Sequence, residues 1–575
     1  MSISRRKVLG IFGGGAVLAA TANSTTNTPP DSTKSVAIIG GGVSGLSVAY
    51  FLVRRGYKGK ITIVEKSPTL GGNAATAEVL LGTDYRGAGI IRDFVRYADL
   101  GVNDVNLASY KRLKQAMKYI GYLSDENLKP GDENLKPLED TVAHFTPDFS
   151  EIWTKDGYLT GQAEPAAKEP IDTRRGIIDR RYSLQEKDSQ LAADEQEFMQ
   201  IAAADFKKQD EPPKWWYYSV AEYIKFFEQE RRADTEISLD NLRRLVRLFL
   251  YPRISAMYFA DKAGPGGMPM AGVMSYYRLQ EGIASDDKEA EGVDRRYFTK
   301  GSQHWINELA KWLQKNNVEI FRGFDAVVVG SDGRVKVTDV SEPNSSTTNP
   351  KSFVVDQVVM AGHADQQLRS LTTQLSSESL LSEEMKKKLE SVQHSISCAY
   401  AHTWNRLLPP DRRTWRTYNV MIRYQYPDPT RIEPPTETPY QMTYVQNRHR
   451  NDRLNDDFNR YGMPIYFVSL NPEQEIPKEY ILRRTEDDRK KVSREQPGYW
   501  DEHCANDSKE GLATARFRHI VMTTDLLKIQ AELPQHQGMS NGRVFFAGCW
   551  TNGASLHEEC FEQAERVVAA MWKDE

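Results

Sequence analysis

The chain has 575 residues, 39% of them hydrophobic and 27% charged, enough for two intertwined domains with a buried cofactor and typical of a globular protein. Its 75 basic and 79 acidic residues leave a formal net charge of −4, which excludes a basic nucleic-acid-binding face and offers no acidic bias that would select a cationic partner surface. The cysteines Cys398, Cys504, Cys549 and Cys560 have no metal-ligand spacing, so no metal site is expected and buried thiols are the simplest reading.

The N-terminus runs Ser4-Arg5-Arg6-Lys7-Val8-Leu9, then an apolar glycine-containing stretch, then Ala20-Thr21-Ala22. Twin arginines, a short apolar run and a small-residue cleavage site resemble a twin-arginine signal over residues 1–22, followed by a polar leader over 23–34. The apolar run is too short and glycine-rich for a stable membrane span. The expected partner is therefore the twin-arginine export machinery, and the expected location is exported, in the periplasm.

Val36 to Phe51, VAIIGGGVSGLSVAYF, passes from a buried-strand pattern through Gly40-x-Gly42-x-x-Gly45 into a helix. Gly40 permits the tight turn, Gly42 lets backbone approach a pyrophosphate, and Gly45 lets helix and sheet pack closely. Val43 and Ser44 open the helix, whose N-terminal N–H groups and dipole favour the pyrophosphate charge. Lys60 to Glu65 reads as a second parallel strand ending in an acid suited to a ribose diol. Strand, turn, helix, strand and Glu65 in order make a dinucleotide site.

Further along, a tandem Asp-Glu-Asn-Leu-Lys-Pro at 125–130 and 132–137 predicts an exposed loop, since each copy ends in a proline. Val220, Ile224 and Phe227, then Leu242, Leu245, Val246 and Phe249, fall at helical spacing and predict core faces. Gly264 to Met270 predicts a surface loop, with a substrate-access loop as the alternative. Trp305 to Leu313 predicts a helix after Lys300-Gly301-Ser302-Gln303, and Val318–Phe321, Ala326–Val329 and Gly333–Val337 predict strands, the last two joined at Ser331-Asp-Gly. Val354 to Ala361 predicts one buried strand ending at Gly362-His363. Thr417–Tyr426, Gln441–Val445 and Tyr461–Leu470 predict further strands around a proline-rich connection.

Lys66-Ser-Pro-Thr-Leu-Gly71-Gly72-Asn73 follows Glu65, and Gly542-Arg-Val-Phe-Phe-Ala-Gly548-Cys-Trp550-Thr-Asn-Gly553-Ala-Ser-Leu-His557-Glu558 precedes a last helix. Both resemble elements of the amine oxidase and phytoene desaturase superfamily of flavoproteins. A narrower resemblance, to bacterial FAD/NAD(P)-binding proteins described as flavin-containing amine oxidoreductases, rests on Val358 to Leu368, Trp415 to Asn419, Phe467 to Pro472 and His557-Glu558. The resemblance implies FAD and a discontinuous Rossmann-like α/β domain, residues 35–110, 295–375 and 515–575, interrupted by an α+β substrate cap, residues 111–294 and 376–514. It also implies cofactor contacts at Lys66, Gly72, Asn73, Gly548, His557 and Glu558, and a backbone contact to adenine near Val327. The chain departs from the superfamily where Glu559-Cys560 and Gln563-Ala564 replace small pairs in the last helix. Twin-arginine export of folded proteins agrees with a cofactor loaded before export.

In a flavoenzyme the cofactor does the hard step and protein groups position and polarise. The candidate groups are His363, His402, His557-Glu558 and Trp550. His363 and His402 either act on substrate or are structural, and Trp550 either stacks beside the flavin or belongs to the core. Arg416 and Arg423 are candidates for a carboxylate clamp. The expected activity is removal of a hydride from a C–N or C–C unit of a small organic substrate, with reoxidation by oxygen or a quinone-like acceptor. The alternatives are desaturation or double-bond isomerisation of a fatty or isoprenoid chain, and non-catalytic flavin binding.

Overall fold

The computed structural model describes residues 33–84, 91–124, 134–149, 151–154, 157–160, 183–184, 189–207, 213–257, 264–283, 292–341, 350–372, 379–410, 412–422, 440–450, 465–492 and 511–572. The signal, nearly all of the leader, the first Asp-Glu-Asn-Leu-Lys-Pro copy, the prolines between 427 and 439, Arg423 and Cys504 lie outside them.

Apolar runs that begin right after the leader and recur late in the chain assemble into one parallel sheet. Strands β1 (Val36–Ile39), β2 (Ile61–Glu65), β3 (Glu319–Arg322), β4 (Gln357–Met360) and β5 (Val544–Phe546) stand in the order β3-β2-β1-β4-β5. Val36, Ala37, Ile38, Ile63, Val358, Val359 and Phe545 are sealed from solvent, as strands covered on both faces must be. The helices that matter for the site are α1 (Val43–Arg54), α2 (Lys111–Tyr119), α3 (Met270–Glu281), α4 (Ser302–Lys315) and α5 (His557–Met571). Helix α1 packs against α4 and α5. Tyr50 joins them, its ring centroid 5.7 Å from that of Trp312 and 5.9 Å from that of Phe561.

The single strand expected over 354–361 is two. Ser352–Val355 closes a three-stranded antiparallel sheet with Ala326–Ser331 and Arg334–Asp339, and β4 begins beyond Asp356. The carboxylate of Asp356 accepts from Ser35 N at 2.6 Å and Ser35 Oγ at 2.7 Å and pairs with Arg334 at 2.9 Å, which pins the change of sheet. The turn at Ser331-Asp332-Gly333-Arg334 is as expected, with φ of 49° and 76° at its two central residues.

The cap is built on a nine-stranded sheet, ordered 183–184, 157–160, 151–154, 142–145, 418–422, 440–445, 467–470, 394–402 and 514–520. Its first and second insertions meet where Val142–Phe145 pairs in parallel with Tyr418–Ile422, so the two segments share one sheet. Thr514–Ile520, at the expected start of the returning nucleotide segment, pairs along His394–His402 and belongs to this sheet.

Two loop expectations change. The second Asp-Glu-Asn-Leu-Lys-Pro copy forms a strand, Leu135–Pro137, on Arg295–Phe298, and Leu135 is buried. Proline can end an edge strand even though it blocks a helix, which is why the repeat misreads as loop. Gly264 to Met270 is largely buried and takes no part in the wall of the cavity described below: a Cβ at Gly266 would press on the Tyr251 hydroxyl, and Met270 opens α3 with no exposure. Its glycine and methionine serve close packing.

Candidate active site

At the end of β1 the chain turns through Gly40, φ 119°, where a Cβ would press on Ala361 backbone. A Cβ at Gly45 would collide with the Gly40 carbonyl, so this glycine sets how closely α1 sits on the turn. Gly42 is the contrast: a Cβ there meets nothing within 4 Å. It caps α1 without a side-chain hydrogen bond, and no acidic residue occupies the first turn. An open face over an uncapped helix N-terminus at Val43, Ser44 and Gly45 fits a pyrophosphate.

Glu65, at the end of β2, accepts from Gly41 N and from Ser67 N, each at 2.7 Å. Burial raises its pKa and the two N–H bonds pull it back. Each oxygen retains a lone pair for a hydroxyl, so the acid braces the glycine turn and still fits a ribose diol. The second glycine loop lies alongside the first. Gly71 N donates to Gly41 O at 2.9 Å, and a Cβ at Gly72, φ 57°, would stand 3.7 Å from Gly42 Cα. Asn73 continues the loop, donating to Arg518 O at 2.9 Å, and lines a cavity of about 200 Å³. The last motif reaches the same place: Cys549 and Ala554 to His557 form another part of that wall.

Several other expected residues do not line this cavity. Lys66 pairs with Asp325 at 3.0 Å, which also holds Arg369. Val327 is buried in Ala326–Ser331. Gly548, φ 116°, packs on the Gly362 carbonyl and joins the two strand ends. Glu558 turns away from the cavity and caps α2, accepting from Arg112 N and Leu113 N at 3.0 Å. Trp550 is fully buried in the hydrophobic core and lines no part of the cavity. His363 stands behind Cys549, its Nδ1 3.5 Å from Sγ, and its ring 5.3 Å from that of His394. Burial pushes His363 down to about 3. His402 bonds Ser469 at 2.8 Å inside the cap sheet and is structural. Arg416 lines no part of the cavity. His557 does line it, with both ring nitrogens unpartnered, and burial holds its pKa down to about 4.

The far wall was not foreseen. Arg295 binds Asp104 at 2.6 Å and Asp140 at 2.8 Å, and the Tyr418 hydroxyl donates to Asp104 at 2.6 Å. Arg253 binds Glu281 at 2.6 Å. Tyr418 and Tyr444 meet edge to face at 5.3 Å, with Tyr276 on the same wall. These residues come from two short strands, two helices and two cap strands spread over hundreds of positions, so no spacing in the sequence announces them.

Among the described residues no group of His, Cys, Asp or Glu is arranged to hold a metal, and no helix is long and apolar enough to cross a membrane. Residues 38–119 match the family model for an NAD(P)-binding Rossmann-like domain. No curated protein matches the chain. Among solved structures, putrescine oxidase is similar with a TM-score of 0.50 at 11% identity, covering 94% of this chain and 98% of that one. Cyclohexylamine oxidase from Brevibacterium oxydans gives 0.49 at 10% identity, covering 94% and 99%. A CLA-producing fatty acid isomerase from P. acnes gives 0.49 at 15%, covering 93% and 98%. The chain thus has a Rossmann-like α/β nucleotide part under a large cap sheet, the fold of putrescine oxidase.

Proposed function

We propose that the chain is an FAD-dependent oxidoreductase of the amine oxidase type, taking a hydride from the carbon of a C–N or C–C unit in a small organic substrate. The observation that carries this reading is the continuity of two sites through one loop, Gly71-Gly72-Asn73, which lies against Gly42 at one end and walls the cavity at the other. A dinucleotide held with its pyrophosphate at α1 would reach toward the cavity along this loop. The fold shared with putrescine oxidase supports the same reading.

Bound FAD would supply the electron-pair acceptor, reoxidised by oxygen or a quinone-like carrier. The N–H groups of Val43, Ser44 and Gly45 would hold the pyrophosphate, and Glu65 would take a ribose hydroxyl. His557 sits where α5 meets the cavity, held neutral by burial and able to donate or accept one hydrogen bond. Tyr418 and Tyr444 exclude water and orient an apolar or aromatic body. A second reading, desaturation or isomerisation of a lipid-like chain, draws on the apolar side of the wall, Val142, Val420, Met442 and Ile520. We assign residues 1–22 to twin-arginine export on their sequence pattern. Lysines in place of Arg5 and Arg6 should then keep the chain, with its leader, in the cytoplasm.

The decisive experiment purifies the mature chain, records its visible spectrum and titrates it without oxygen against amine and lipid panels. A yellow protein bleached by an amine, with hydrogen peroxide released on aeration, is expected. A colourless protein that stays so after refolding with FAD removes the cofactor reading. A yellow protein bleached by neither panel removes the enzyme reading.

A further inference from the structure

The cavity wall separates its charges from its free hydrogen-bonding capacity. Each arginine on it is already matched: Arg253 by Glu281 at 2.6 Å, Arg518 by Asp365 at 2.6 Å, and Arg295 by Asp104 and Asp140 at 2.6 and 2.8 Å. Asp104 in turn has the Tyr418 hydroxyl as a second donor, and Asp140 lies toward solvent with 28% of its side chain exposed. An incoming ammonium or carboxylate would have to break one of these pairs or give up its hydration without a counter-charge.

The neutral groups are the ones left unmatched. His144 Nε2, Gln280 Oε1 and both ring nitrogens of His557 are buried without a hydrogen-bond partner, and all three side chains line the cavity. Each residue is at most 5% exposed, so bulk water does not satisfy it. Burial holds His144 down at about 3 and His557 at about 4, which keeps both imidazoles neutral, each with one N–H and one lone pair. Gln280 spends its amide N–H on the Tyr110 hydroxyl at 2.8 Å and keeps its carbonyl free. The Nε–H of Arg295 is also unmatched, but its charge is met by two carboxylates, so it suits a neutral acceptor oxygen.

We infer that the cavity takes a molecule that is uncharged where it meets the cap: an apolar body bearing a hydroxyl, a carbonyl or an unprotonated nitrogen. The inference rests on the oxidoreductase reading of this same cavity and narrows its substrate class. Free amino acids, fatty carboxylates and permanently protonated amines are disfavoured. His144 and Gln280 are then specificity-determining residues on the cap side.

Calorimetric titration of the purified holoprotein at pH 7 with three probes on one skeleton, 2-phenylethanol, 2-phenylethylamine and phenylacetate, tests this. The alcohol is expected to bind at least about tenfold more tightly than either ion, the effect of one or two well-placed buried hydrogen bonds against an unpaired buried charge. The double variant His144→Leu, Gln280→Leu should lose most of that preference while its visible spectrum stays that of the wild type. Tighter binding of either ion, equal binding of all three, or binding of none overturns the inference. Failure of the flavin reading appears separately, as a colourless protein, whichever probe binds.

Discussion

The glycine turn at residues 40–45 and the far cavity wall around Arg295 do comparable work by opposite means. The turn is made from consecutive residues, and backbone is its functional material: Gly42 leaves space, Gly45 removes it, and Glu65 braces the loop through N–H groups. The far wall is made from side chains of Asp104, Arg253, Glu281, Arg295 and Tyr418, held by ion pairs and a hydrogen bond between separate segments. A backbone device depends on its glycines more than on the side chains around them. A side-chain network is specific to its own partners, and loses most when one member is removed.

The largest effect should come from acid, because the buried neutral histidines fall mainly in the cap. His144, His402, His449 and His519 belong to cap elements and are held by burial at about 3, against 6.5 when free. His363, at about 3, and His557, at about 4, sit at the nucleotide side. Each binds a proton more readily in the unfolded chain, so below pH 6.5 unfolding takes up protons and stability falls as pH falls. The loss is at most about 1.4 kcal/mol per pH unit for each histidine. Thermal unfolding from pH 7 to pH 5 should show a steep drop, and hydrogen exchange at pH 5 should rise in the cap strands before β1 and β2. A flat melting temperature across that range would contradict it.

Next in size is Arg295→Met, which leaves Asp104 buried without its counter-charge and should cost about 3–5 kcal/mol in denaturant unfolding. Equal stability of variant and wild type would mean that the network holds nothing. Gly45→Ala forces α1 off the Gly40 carbonyl and should cost about 1–3 kcal/mol. Smallest in stability is Gly42→Val, expected within about 1 kcal/mol of wild type because its Cβ meets no protein atom within 4 Å and φ is −72°. That variant should nonetheless fold colourless. If it purifies with stoichiometric flavin, the open face at Gly42 is not where the pyrophosphate lies.

How much could be read beforehand differs between the two regions for the same reason. Val36 to Glu65 announces strand, turn, helix and strand because each step depends on neighbours within a few positions. The last motif was legible as a strand and helix, yet the roles of its side chains were not. His557 faces the cavity while Glu558, one position on, caps α2, and Trp550 turns into the core. The sheet change at Asp356 was hidden because the flanking runs are apolar and the bonds of Asp356 to Ser35 and Arg334 mark the break. Leu135–Pro137 read as loop because its stability comes from Arg295–Phe298, far along the chain.

By itself the amino-acid sequence determined the parallel nucleotide sheet and its glycine turn, because strand pattern, positive-φ glycine and helix start are local properties of backbone. Tertiary structure alone decided which polar side chains face one another across the cavity and which of them keep unspent hydrogen bonds. Ion pairing and desolvation depend on distances between segments that no sequence spacing encodes.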